Sequence, residues 1–441
     1  MRKSNIRKAF AFFSVLLASS ILLTACTSRT GDKTVSGQSD DTTPVTINVT
    51  HWEANTGDKT AWNDAVQKFE TQYPNIKVNS QVVPSGDKYY ASLDTRIAGN
   101  DAPDVAKLTY QKMGKYVSGG ALLDVTKSID STTQADFIPA YKAAMMYKGK
   151  LYGVPHMADT MVIFYNKAMM AKAGITDIPT SVSKAWTWQE FNTVAKKVKE
   201  ANSLQYSFAY NWTKNCAYRA LPLLYMDGGA LLDSTGKKAA VDNAKGMEWL
   251  KLIEGWTKDG LITKSSPNAT DSPYDLFCNG VVAMVFAGTY NLPYFDTNMK
   301  GTYGATFMPQ VNGKTGSDMG GTCLVAFKSA KNAAAGAKFM NYMVSSDAMK
   351  AYDETYGELP VRTSLTKTTL NYSSHVDMMK MFTAQGETID PKMAAVEANP
   401  KFDAIETAMA NNIEKIILNG KTGEQAAKDM AKDINSALSD E

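Results

Sequence analysis

Histidine and cysteine are scarce, three and four in 441 residues. No group of them has the spacing of a metal site, so neither a metal nor a resident cofactor is expected. A His-dependent enzyme is disfavoured too, although one histidine would suffice for a triad. Neither sign of charge dominates, with 47 basic against 44 acidic residues. Four of the basic ones (Arg2, Lys3, Arg7, Lys8) fall in the first 25 residues, which hold no acid. The remainder is therefore slightly acidic, and with no basic stripe a nucleic-acid partner is not expected. Catalytic signatures are missing as well: there is no nucleophile elbow and no H-E-x-x-H. Gly313-Lys314-Thr315 is not a phosphate loop, because Met308 stands where that loop needs glycine. The longest apolar run, Ala9 to Ala25, has 17 residues, short of the roughly 20 that a membrane-crossing helix needs.

That run is nonetheless informative. It follows a basic start and ends in Leu23-Thr24-Ala25-Cys26, so residues 1–25 read as a secretory leader. Small residues directly before Cys26 resemble the bacterial lipoprotein box, in which that cysteine is lipidated after cleavage. Two acyl chains anchor stably where one is marginal, so an extracytoplasmic protein on the outer face of the cytoplasmic membrane is expected. Residues 26–44 are rich in Ser, Thr, Gly and Asp and have too little apolar surface to order themselves, which suits a flexible tether. At 441 residues, two domains are the natural expectation. Cys216, Cys278 and Cys323 are odd in number and are read as small buried hydrophobes.

From Val45 the chain alternates strand and helix patterns. Val45 to Thr50 has period two, and a helical face of Trp62, Val66, Phe69 and Tyr73 follows. Ile76 to Val83 is a strand, Lys88 to Ala98 a helix, and Ala102 to Leu108 a third strand. Such alternation predicts an α/β layer with a parallel sheet. Ligands of open α/β sheets sit beyond the carboxyl ends of the strands. That rule singles out Trp52 and Glu53 after the first strand and Tyr110 after the third, with Asp104 opening the third. The stretch Gly149 to Lys167 carries Pro155, which cannot donate within a central ladder. Periodicity alone allows either an edge strand or a crossing between two domains. Thr187-Trp188-Gln189-Glu190 is a capping box. Helices are also expected at Ala244 to Lys258, Ala333 to Val344, Phe402 to Leu418 and Thr422 to Leu438. Gly-Gly-Ala-Leu-Leu-Asp occurs at 119–124 and again at 228–233, which helix-ending glycines explain better than a duplication does.

The ordered string of motifs resembles one family. It comprises the lipid box, Trp52, Phe69 to Val78 with Tyr73-Pro74-Asn75, Gly99-Asn100-Asp101-Ala102-Pro103-Asp104-Val105 and the two Gly-Gly-Ala-Leu-Leu-Asp repeats. It continues through Gly149-Lys150-Leu151-Tyr152-Gly153-Val154-Pro155, Phe164-Tyr165-Asn166-Lys167, Gly280-Val281-Val282-Ala283-Met284 and Leu359-Pro360-Val361-Arg362. The resemblance is to the family 1 extracellular solute-binding proteins, the sugar-binding lipoproteins of ABC importers, to which maltose-binding protein belongs. It implies a two-lobed, type II periplasmic-binding-protein-like fold, each lobe a mostly parallel sheet flanked by helices, joined by a hinge of several crossings. Mapped by motif, lobe 1 spans 45–157 plus 323–343 and lobe 2 spans 158–322 plus 344–441. Crossings then fall at Met157-Asp159, Gly320-Thr322 and Tyr342-Ser346.

The implied function is capture of a sugar, most simply an oligosaccharide, by a monomer that hands it to the transmembrane permease subunits. A pyranose needs a flat aromatic against its C–H face and polar groups around its hydroxyl rim. Trp52, Trp212 beside Asn211, and Tyr290 are the expected stacking aromatics; at Tyr290 relatives usually carry Trp. Asp104 and Asp159 are the expected hydroxyl acceptors, Arg362 a donor, and Gly321 a place for close backbone approach. Trp212→Ala should then weaken binding without much loss of stability. Two alternatives stay open: a non-sugar solute such as a peptide or polyamine, for which several acids would have to converge with aromatics, and a secreted glycosidase with paired carboxylates.

Overall fold

The computed structural model describes residues 43–439; the leader, Cys26 and nearly all of the proposed tether lie outside the described residues. Two sheets form the frame. The first holds β1 (Val45–His51), β2 (Ile76–Val82), β3 (Val105–Thr109), β4 (Val154–Asp159) and, from far along the chain, β9 (Gly320–Ala326), in the order β2-β1-β3-β9-β4. The second holds β5 (Val162–Asn166), β6 (Phe208–Ala209), β7 (Met284–Ala287) and β8 (Tyr303–Thr306), in the order β8-β5-β7-β6. Within the first sheet β9 alone is antiparallel to its neighbours, and within the second β5 alone is. In each sheet the reversed strand is the one arriving from the other sheet.

The stretch around Pro155 is an edge strand and a crossing at once. β4 closes one edge of the first sheet, where the missing N–H of Pro155 costs no ladder bond. Only Thr160 and Met161 separate it from β5 in the second sheet. The chain returns through a short hairpin, Gln310–Val311 with Lys314–Thr315, before β9. Met157-Asp159 lies within β4 and Gly320-Thr322 within β9. Tyr342-Ser346 joins the helices Ala333–Met343 and Ser346–Tyr356, and the second of these packs against the helix Thr56–Gln72 beside the first sheet.

Local chemistry explains the element ends. Asn55 caps the helix Thr56–Gln72 by accepting from the Asp58 amide at 3.1 Å. Thr187 and Glu190 form the reciprocal capping box. The helices Ala244–Lys258, Phe402–Asn419 and Gly423–Ser439 pack together beside the second sheet. The two Gly-Gly-Ala-Leu-Leu-Asp copies are different devices: the left-handed residue is Gly120 in the first (φ 70°) and Gly228 in the second (φ 78°). Cys216, Cys278 and Cys323 are all free thiols.

Candidate functional site

Where the two sheets face each other, carboxylic acids are buried in unusual number. Asp159 ends β4, Asp318 precedes β9, and Glu358 follows the helix Ser346–Tyr356. Glu397 and Glu406 come from the helices Pro391–Glu397 and Phe402–Asn419. None of the five is more than 7 % exposed. Among them lies one guanidinium, that of Arg219, on the short turn Ala217–Ala220. Its Nη1 donates to the hydroxyls of Tyr290 (2.9 Å) and Tyr274 (3.1 Å), and its Nε lies 3.7 Å from Asp318.

Glycines shape the seat of Asp159. A Cβ on Gly288 would lie 2.1 Å from Asp159 Oδ1, and one on Gly320 would lie 2.8 Å from its carbonyl oxygen. The Thr289 amide and hydroxyl each reach Asp159 Oδ1 at 2.9 Å, and the same hydroxyl contacts Glu358. One hydroxyl hydrogen can serve only one of these two acids, so the other contact requires a protonated carboxyl as donor. Burial raises Asp159, and Arg219 only partly opposes it. Burial pushes Asp318 up to about 7 and Glu406 up to about 8. Glu358 and Glu397 are raised well above the carboxylate range, by burial first and then by neighbouring acids.

Polar atoms without partners collect here too. Gln111, just past β3, donates to the Met319 carbonyl (3.0 Å) and to Glu397 Oε2, while Glu397 Oε1 accepts nothing. The buried hydroxyl of Tyr141 has no partner, although it lies in the field of Asp318, Asp159 and Glu397. Native proteins rarely leave such groups unpaired, so this layer suits a polar guest. Both sheets feed it, and Asn215 joins the two sides by donating to Asp87 at 3.1 Å. Beside it a cavity of about 240 Å³ is lined by Thr289, Tyr290 and Glu358. A larger one of about 480 Å³ lies between the helices Thr56–Gln72 and Ser346–Tyr356 and includes none of the five acids.

The sequence pattern of the bacterial extracellular solute-binding proteins matches residues 64–380. The chain belongs to that family. It is 27% identical over 375 residues to a maltooligosaccharide ABC transporter solute-binding lipoprotein of Streptococcus pneumoniae, covering 82% of each chain. Its fold is similar to that of the GacH receptor of Streptomyces glaucescens (TM-score 0.74, 24% identity, 90% of this chain and 99% of that one). It is similar also to a cyclic alpha-maltosyl-1,6-maltose binding protein of Arthrobacter globiformis (TM-score 0.77, 18% identity, 90% and 100%). These matches establish a two-lobed α/β fold of helices over mixed sheets.

In this solute-binding protein the expected residues divide. Asp159 and Tyr290 enter the shared layer. Tyr110 reaches its floor, donating to the Met157 carbonyl at 3.0 Å and lying against the ring of Tyr141. Trp52 and the half-buried Glu53 follow β1; the Trp52 ring stands edge-on to Tyr89 with Lys107 over its face at 5.2 Å. Asp104 lies elsewhere, at the amino end of β3, where its two oxygens accept the amides of Asn48 (2.8 Å) and Asn332 (2.7 Å). It ties β1 to the segment before the helix Ala333–Met343, at the end of the strand away from the layer. Arg362 also serves the frame, donating to Asp136 and to the Val344 carbonyl, each at 2.8 Å. Gly321, at φ 108°, leaves room for a neighbouring strand: its Cβ would meet the Met157 carbonyl oxygen at 2.2 Å.

Asn211 closes its own turn by accepting from the Thr213 hydroxyl at 3.0 Å. Trp212 is fully buried between Tyr210 and Trp256. Its truncation must therefore lower stability, contrary to the expectation from sequence. Sequence reasoning missed Arg219, Asp318, Glu358, Glu397 and Glu406. Arg219 left a trace as the lone charge in the apolar run 216–226. Glu406 left another, sharing a helix face with buried Ile405 and Met409.

Proposed function

We propose that this protein captures a carbohydrate, most simply an oligosaccharide, between its lobes and passes it to the transmembrane subunits of an ABC importer. One observation carries the reading. Acids, phenols and an arginine converge from both sides on a buried layer in which two polar atoms, Glu397 Oε1 and the Tyr141 hydroxyl, lack partners. Hydroxyl-rich ligands supply those missing partners in paired fashion; a hydrogen bond contributes about 0.5–1.5 kcal/mol, and about 1.5–3 kcal/mol where its partner is charged, as Arg219 is. The roughly −8 kcal/mol of micromolar affinity therefore takes several such bonds together with apolar contact. Relatives named for maltooligosaccharides and a maltosyl-maltose support the same ligand class.

Sheet membership suggests that the lobes divide at Thr160-Met161, at the turn before Gly320, and after the helix Ser346–Tyr356. Ligand touching both lobes favours the closed arrangement, shifting an open–closed equilibrium; the closed form is what the permease would read. The ligand set proposed is Asp159, Arg219, Tyr290, Asp318, Glu358 and Glu397, with Trp52 and Glu53 at the rim. Anchoring through Cys26 belongs to the same proposal, and labelled palmitate should enter the wild-type chain and not Cys26→Ala. Titration calorimetry against mono- and oligosaccharides, with scattering to follow closure, tests the main reading. Saturable binding with unchanged saccharide recovered supports it. Absence of binding across the panel, or product formation, ends it.

A further inference from the structure

The inner layer has more acid than it can keep ionised. Five buried carboxylic acids face one guanidinium, and that guanidinium is already engaged by Tyr274, Tyr290 and Tyr218 as well as by Asp318. Lysine relieves the layer only in part: Lys107, which also interacts with Glu358, is paired with Asp58 at 2.9 Å, and Lys112, which partly offsets the rise of Glu406, is paired with Asp403 at 2.6 Å. Like charges this close cannot all ionise, so the protein by itself must hold protons there, as the single Thr289 hydroxyl between Asp159 and Glu358 shows. A ligand bearing positive charge would relieve the same repulsion.

The geometry of the unpartnered atoms fits a cation. Glu397 Oε1 is a buried acceptor with no donor. The Tyr141 hydroxyl, also buried and unpartnered, is carried by the helix Pro139–Met145, which packs against the helix Pro391–Glu397 that carries Glu397, and it feels the charge of Asp318, Asp159 and Glu397. An ammonium brings three donors and no acceptor, and phenol rings offer it a negative face. A neutral hydroxyl brings one donor and leaves the charge surplus as it was. Resting on the carbohydrate reading above, we infer that the preferred ligand is a saccharide carrying a protonated amine, with the amine seated between Glu397 and Tyr141.

The test is titration calorimetry at pH 6.5 on the secreted chain with matched sugars. The pairs are glucosamine and glucose, galactosamine and galactose, and the glucosamine trimer and cellotriose. N-acetylated forms, maltotriose and spermidine complete the set. The inference expects an amine to bind at least tenfold more tightly than its neutral match in at least one pair. N-acetylation should abolish that preference, and Glu397→Gln, checked for folding by circular dichroism, should reduce it severalfold. Glu406→Gln serves if that variant does not fold. Neutral sugars or maltotriose binding as well as or better than every amine would overturn the inference and leave the carbohydrate reading standing. Spermidine binding without any saccharide, or no saccharide binding at all, would overturn both.

Discussion

Two buried polar clusters lie close together in this molecule and are built on opposite terms. In the first lobe, Lys107 from the middle of β3 meets Asp58 at 2.9 Å, donates also to the Trp52 carbonyl at 3.3 Å, and Tyr352 donates to Asp58. Charge is balanced there. Burial would raise Asp58, but Lys107, Tyr352 and the Ala54 amide outweigh it and hold the carboxyl low. His51 and His156 complete that cluster as ring fillers around Trp62, with burial pressing them down to about 4 and about 3. Between the lobes, five acids surround one arginine and several atoms have no partner. The contrast is one of charge: beside β3 a single buried carboxylate meets a single lysine, whereas between the lobes five buried acids share one guanidinium.

The largest expected effects come from the balanced side. Lys107→Met should cost about 3–5 kcal/mol, because it strands Asp58 without a partner; Asp58→Leu added to it should recover much of the loss. Trp212→Ala, in the second core, should cost about 3–5 kcal/mol as well. Urea denaturation checks both, and losses under 1 kcal/mol would erase the distinction drawn here.

pH dependence comes next. The raised acids contribute stability present below the ordinary carboxylate pKa and lost as pH rises through about 7 to 8. The lowered histidines contribute stability present above about 6.5 and lost as pH falls toward 4. With five raised acids against two lowered histidines, these groups together should make stability fall from about pH 4–5 toward pH 8, the histidines offsetting only part of the loss below about 6.5. Asp318→Asn should flatten the alkaline limb by a few kcal/mol, since a shift of one unit is about 1.4 kcal/mol. Denaturation series from pH 4 to 9 would show this, and an unchanged limb would mean that Asp318 is not held protonated.

Smaller effects test the layer alone. Gly288→Ala should push Asp159 from its seat and weaken saccharide binding about ten- to hundredfold, while the chain stays folded by circular dichroism. Smallest of all, Asn215→Ala removes one exposed contact across the lobes and should change affinity no more than severalfold. If the order of these two were reversed, closure at the rim would matter more than the layer.

Much of the frame was legible in the sequence because its signals are local. The strand at Val45, the capping box at Thr187 and the helix ends at Ala244 and Lys258 follow from periodicity and caps. Pro155 marked an edge, and an edge it is. Of the residues named from sequence, Asp159 at the end of β4 and Tyr290 in the turn after β7 reach the buried layer proposed as the site. Asp104 was misjudged because it opens a strand while ligands gather beyond the closing ends, and Trp212 because a loop position says nothing about which rings close over it.

What the chain spells out by itself is the alternation of strands and helices, their ends, and membership of a family through motif order. What only tertiary structure decided is which acids meet. Asp159, Glu397 and Glu406 come from three separate elements, and Asp318 and Glu358 from two connecting segments. Their mutual repulsion exists only once the chain has crossed between the sheets and burial has removed the water that would screen it.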